Sequence, residues 1–165
     1  MDKPIIFLDI DDVMVTSEEY NEPRKMVWEK YNIAKELNVP YLFSTKCVKV
    51  LNNILDETNA EIVLTSDWRL RWNLNEMGKI FNMNGINQLP ADFTEFKPIK
   101  LNDGVINRVN EITIYIKEHE VTKYVVVDDM MMGQYLPVGH FVLTKEKNGI
   151  AGRGVRNRIL NALKL

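Results

Sequence analysis

The chain of 165 residues has one cysteine, two histidines and no long apolar run. A lone Cys47 excludes an intramolecular disulfide and a cysteine-based metal site, which fits a reducing compartment. His119 and His140 are far apart in sequence and lack zinc-type spacing. The longest apolar run near the N-terminus, Ile5 to Leu8, is far too short for a signal peptide or a membrane span. A cytoplasmic protein with no membrane partner is therefore expected. No repeat and no low-complexity segment occurs. The net charge of -2 excludes a wholly basic nucleic-acid binder, though not a local basic patch. Apolar residues make up 45% of the chain, enough to give one domain spanning residues 1–165 a real core.

What is present is a set of short apolar runs. Pro4 to Leu8, Glu61 to Leu64 and Tyr124 to Val127 read as strands buried on both faces, and His140 to Thr144 is a fourth candidate. Helical spacing links Val48, Leu51, Ile54 and Leu55, with Ser44 or Thr45 as N-cap. It links Ile106, Val109, Ile112 and Ile116 behind Asn102 or Asp103. Leu70 to Met83 reads as a helix that stops near Gly85, and Val155 to Leu165 as a terminal one. Alternating strands and helices imply an α/β fold, a mainly parallel sheet with helices on both faces. Ligands of such sheets sit at the carboxyl ends of the strands. Residues 16–42 stand where a turn would suffice, and form either a lid or decoration.

The first strand ends in three carboxylates, Asp9, Asp11 and Asp12. Two like charges about 4 Å apart cost roughly 4 kcal/mol at an effective dielectric near 20. The second strand ends in Thr65 and Ser66, the third in Asp128 and Asp129. A parallel sheet puts all three tips on one edge, where a hard cation such as Mg²⁺ removes the repulsion. Asp9 can bind the metal and attack phosphorus. Asp11, two residues on, would protonate the leaving oxygen and later take a proton from water. Thr65 offers a hydroxyl and an amide to phosphate oxygens. Arg108 is the candidate cation for the transferring group; its plain alternative is an ion pair with Glu111. Each element alone also reads as a turn or a helix cap. Their order, each directly after a buried-type strand, points to one site.

These residues resemble the haloacid dehalogenase (HAD) superfamily of phosphohydrolases. Its motifs are matched by "IIFLDID", "IVLTS", Arg108 and "VVVDD". "VLTSDWR", "RVNEI" and "YVVVDD" are similar, more closely, to the small HAD domains of RNA-repair proteins of the polynucleotide kinase-phosphatase type. The resemblance implies a Rossmann-like three-layer α/β/α core with a small cap-like insertion at 16–42. It implies a phosphoric monoester hydrolase using Mg²⁺, with Asp9 as nucleophile and Asp11 as general acid/base. Asp11 would also bind metal through its backbone carbonyl. Asp128 and Asp129 would complete the metal site, and Thr65 and Arg108 would hold phosphoryl oxygens. It prefers Arg108 over Lys97 or Lys100. It also hints at an RNA or DNA end, or a nucleotide, as substrate. One departure is Asp12, where the family usually has glycine; Asp tolerates a left-handed turn better than most residues.

Ser66, Trp68 and Arg69 are further candidates for substrate contact, the tryptophan either stacking on a base or packing in the core. From Lys145 onward six basic residues stand against Glu146 alone. That basic tail either collects phosphates or is a solvated face. Two other functions compete. One is a catalytically silent HAD scaffold that binds nucleic acid through the tail. The other is a receiver-like signalling domain, with Asp67 accepting phosphate.

Overall fold

The structure, a computed structural model, describes residues 3–21 and 31–164. In chain order the elements are β1 (Ile5–Leu8), α1 (Asn32–Glu36), α2 (Thr45–Thr58), β2 (Glu61–Leu64), α3 (Leu74–Met83), β3 (Asp92–Phe93), α4 (Gly104–Glu118), β4 (Tyr124–Asp128), β5 (Phe141–Leu143) and α5 (Val155–Ala162). The five strands make one sheet in the order β3-β2-β1-β4-β5, every pair parallel. Both faces of the central strands are apolar, so both must be covered. Ile6, Leu8, Ile62, Leu64, Val125 and Val127 pack against α2, α3 and α5, while Phe7, Val63 and Val126 pack against α4.

This is the Rossmann-like order, which reverses between β1 and β4. The receiver alternative fails here, because that fold runs 2-1-3-4-5. Leu8 is level with both Leu64 and Val127. The residues that follow, Asp9, Thr65 and Asp128, therefore emerge side by side. Backbone bonds hold them there: Asp9 N–H to Val127 O at 3.1 Å, and Thr65 N–H to Leu8 O at 3.0 Å.

Local chemistry moved some boundaries. The expected helix from Leu70 is interrupted: Asp67–Leu70 is a 3-10 turn, and α3 starts only at Leu74. Asn73 accepts from the Glu76 amide at 3.0 Å while Glu76 accepts from the Asn73 amide at 2.9 Å. That reciprocal box starts a new helix and ends the old one. At α4 the cap is Asp103, which accepts from Ile106 N–H at 3.0 Å. Strand β3 has two residues and no apolar run, so no periodicity announced it.

Of the 16–42 insertion, residues 22–30 lie outside the described residues. The rest is anchored. Ala34 and Val39 are buried in the main core, and Trp72 Nε1–H donates to Leu37 O at 2.9 Å. Among the described residues, no helix is long and apolar enough to cross a membrane.

Candidate active site

The loop after β1 is wound tightly. The amides of Val13, Met14 and Val15 all converge on the Ile10 carbonyl. That turn needs one left-handed residue, and Asp12 supplies it at φ 57°. Its neighbours clamp it: Thr144 Oγ1–H donates to Asp12 O at 3.0 Å, and Ile150 N–H to Val13 O at 2.9 Å.

Asp9 and Asp128 are buried and Asp129 is half-buried; one carboxylate oxygen from each lies within 4.8 Å of the others. Arg108, reaching in from α4, is 2.9 Å from Asp128 Oδ2 and 3.2 Å from Asp9 Oδ1 and from Asp67 Oδ1. Burial opposes the charge on Arg108, but Asp9, Asp128 and Asp67 together hold its pKa above the ordinary arginine value. Lys97 and Lys100 are paired elsewhere, with Glu95 and Asp103.

Of the three clustered carboxylates, Asp9 and Asp128 meet this guanidinium. Burial, and next the charge of Asp9, pushes Asp129 up to about 6. The same two causes raise Asp128, with Arg108 opposing them. An all-oxygen donor set with uncompensated negative charge fits a hard divalent cation. The carboxylate of Asp11 lies outside that set. Trp68 Nε1–H donates to both its oxygens, at 3.1 and 3.2 Å. Burial and Asp9 nonetheless raise Asp11 to about 6, close to a working pH.

These shifts predict a pH dependence. A carboxyl whose pKa rises on folding holds its proton more tightly folded than unfolded. The resulting stability is full below pH 4 and is lost as pH climbs through 6. The melting temperature of metal-free protein should therefore fall between pH 5 and 7.5. Millimolar Mg²⁺ should restore it, and more at the higher pH. Calorimetry in chelator showing a flat or rising profile would contradict the carboxylate crowding.

The two hydroxyls after β2 have different fates. Ser66 Oγ accepts from Trp68 N–H at 3.4 Å and caps the 3-10 turn. Thr65 is fully buried, and its Oγ1 has no hydrogen-bond partner among the described residues. Arg69 does not face outward. Its side chain is 3% exposed and donates to Thr65 O, Thr94 O and Glu111 Oε2. So Glu111 partners Arg69 rather than Arg108. Trp68 is likewise largely enclosed, its ring 5.0 Å from Trp72 and 5.8 Å from Phe43. Asp67, singled out in the sequence only as the phosphate acceptor of the receiver alternative, bridges toward both arginines.

A cavity of about 390 Å³ reaches Asp11 between Pro40 and Tyr41 of the insertion and Asp67, Trp68 and Arg71. Tyr41 meets Tyr20 edge-on at 4.9 Å. The insertion thus walls one approach to the site.

No curated protein and no solved structure matches the chain significantly. One family model does match, over residues 5–155, and it describes the HAD domain in Swiss Army Knife RNA repair proteins. With its Rossmann-like sheet and its aspartates gathered where the strand order reverses, the chain belongs to that family of small HAD domains.

Proposed function

We propose that the protein is a Mg²⁺-dependent phosphatase for phosphomonoesters, acting through an aspartyl-phosphate. The observation that carries this reading is the convergence of Asp9, Asp128 and Asp129 beside Arg108, with Asp11 protonatable near neutral pH. Asp9 attacks phosphorus, forming a P–O bond to its carboxylate as the ester P–O bond breaks. Asp11 gives its proton to the departing alkoxide. It then takes a proton from the water that hydrolyses the acyl phosphate, and free phosphate leaves. The Trp68 bond holds the Asp11 carboxyl in place for both transfers. Asp9, Asp128 and Asp129 would hold Mg²⁺, which would supply neutralising charge for the phosphoryl group. Arg108 and the Thr65 hydroxyl bind the non-bridging oxygens.

The substrate we propose is a terminal phosphate of RNA or DNA, or of a nucleotide. Its support is the family's description as an RNA-repair domain, together with the basic C-terminal segment. The test is phosphate release with Mg²⁺ from 3′- and 5′-phosphorylated oligonucleotides and nucleotides. Chelator should abolish it. Binding of these oligonucleotides without turnover of any phosphomonoester would replace this reading with the silent scaffold.

Thr65→Val gives a sharper check. The hydroxyl has no hydrogen-bond partner among the described residues, so its loss should leave stability unchanged or slightly higher. The value of kcat/KM should drop about 100-fold, the scale of one lost oxyanion donor. Unchanged turnover in steady-state kinetics would remove Thr65 from the phosphate site.

A further inference from the structure

The end of β5 and the start of α5 enclose a second cavity, of about 370 Å³. Lys145, Arg153 and Arg158 line it, and its lining holds no carboxylate. None of the three makes an ion pair among the described residues, whereas their neighbour Arg156 is paired with Glu57. Unpaired like charges gathered around a concavity repel one another unless an anion joins them. The cavity's lining also packs against the loop that follows β1, which carries Asp9 and Asp11. Thr144, in its lining, is the residue bonded to Asp12 O. Gly149, also in its lining, sits at φ 50° so close to the same loop that a Cβ would lie 2.2 Å from Val13 O.

We infer that the cavity lined by Lys145, Arg153 and Arg158 binds a second phosphate group of the molecule whose first phosphate lies at Asp9. The inference rests on the phosphatase reading only for the identity of that first site. The ligand class is a compound with two phosphates spaced along a sugar, supplied by a polynucleotide end or by a nucleoside bisphosphate. A guanidinium pair suits a phosphate oxygen fork. The second phosphate adds binding, not chemistry, so it lowers KM and leaves kcat alone.

The test compares wild type with Arg153→Gln/Arg158→Gln. Both side chains are exposed, and equal melting temperatures will verify the fold. For p-nitrophenyl phosphate, with one phosphate, the two proteins should have the same KM and kcat. For a nucleoside 3′,5′-bisphosphate or a terminally phosphorylated oligonucleotide, KM should rise about tenfold in the variant. An effect on both ligands assigns a general two-phosphate site, and an effect on the oligonucleotide alone assigns polynucleotide ends. Equal KM values for every two-phosphate substrate would overturn the inference. If wild type hydrolyses nothing, the phosphatase reading has failed separately. The cavity is then judged by anisotropy of a labelled, phosphorylated single strand. Binding should weaken about tenfold, and the salt slope should shrink by about 1.4 for two lost contacts. An unchanged Kd would overturn it there too.

Discussion

Asp9→Asn should leave a folded protein with phosphate release reduced about 10⁴-fold or more, the scale of losing a nucleophile. The substitution keeps the shape of the side chain. It removes the attacking charge and one of three charged oxygen donors. Its effect on stability should be opposite in sense. Asp9 raises the pKa of Asp11, Asp128 and Asp129, so neutralising it relieves all three. Arg108 loses one contact but retains Asp128 and Asp67. In chelator the variant should melt no lower than wild type, and Mg²⁺ should raise its melting temperature less. Crowded charge kept for chemistry commonly costs stability in this way. Residual Mg²⁺-dependent turnover within tenfold of wild type would remove Asp9 from the nucleophile's role.

The second large effect lies behind the site, at Arg69 and Glu111. Their side chains are 3% and 2% exposed. Burial lowers the pKa of Arg69 and raises that of Glu111, and each partner opposes the other's shift. Glu111→Gln leaves Arg69 only the exposed Asp67, at 3.7 Å, and Arg69→Met leaves Glu111 without its ion-pair partner; losing a buried partner costs about 3–5 kcal/mol. The pair also anchors Thr65 O and Thr94 O through Arg69, and Lys97 N–H through Glu111, so the β2 tip loosens with it. Turnover should therefore fall alongside stability in the single variants. The double variant Arg69→Met/Glu111→Leu should recover most of the stability and little of the activity, because packing replaces charge but not the carbonyl anchors. Urea midpoints will decide this. Single variants that lose under 1 kcal/mol would show that water already solvates the pair.

Much of this architecture was visible in one dimension. A run such as "YVVVDD" has no polar face to give to water, so it must lie inside a sheet covered on both sides. Its aspartates must then stand at the sheet's edge. The left-handed turn at Asp12 was expected only through the resemblance, because the family usually has glycine there and Asp tolerates the conformation better than most residues. Periodicity was incomplete at α4, where Val109, Ile112 and Ile116 do pack on the core. The apolar spacing marked Ile106, Val109 and Ile112 as the inward face, yet the buried residues of that stretch include Arg108 and Glu111. Near the site the inward face of this helix is ionic, and an apolar period carries no signal of that.

The amino-acid order by itself determined that acidic strand tips would gather on one edge, because apolar runs bury themselves whatever surrounds them and alternating helices force the strands parallel. Only the folded chain decided which charge met which. Arg108 met Asp9 and Asp128, Arg69 turned inward to Glu111, and Thr65 rather than Ser66 kept a free hydroxyl. Pairing of that kind depends on ångström-scale distances between segments remote in sequence, and a charge has no period to announce its partner.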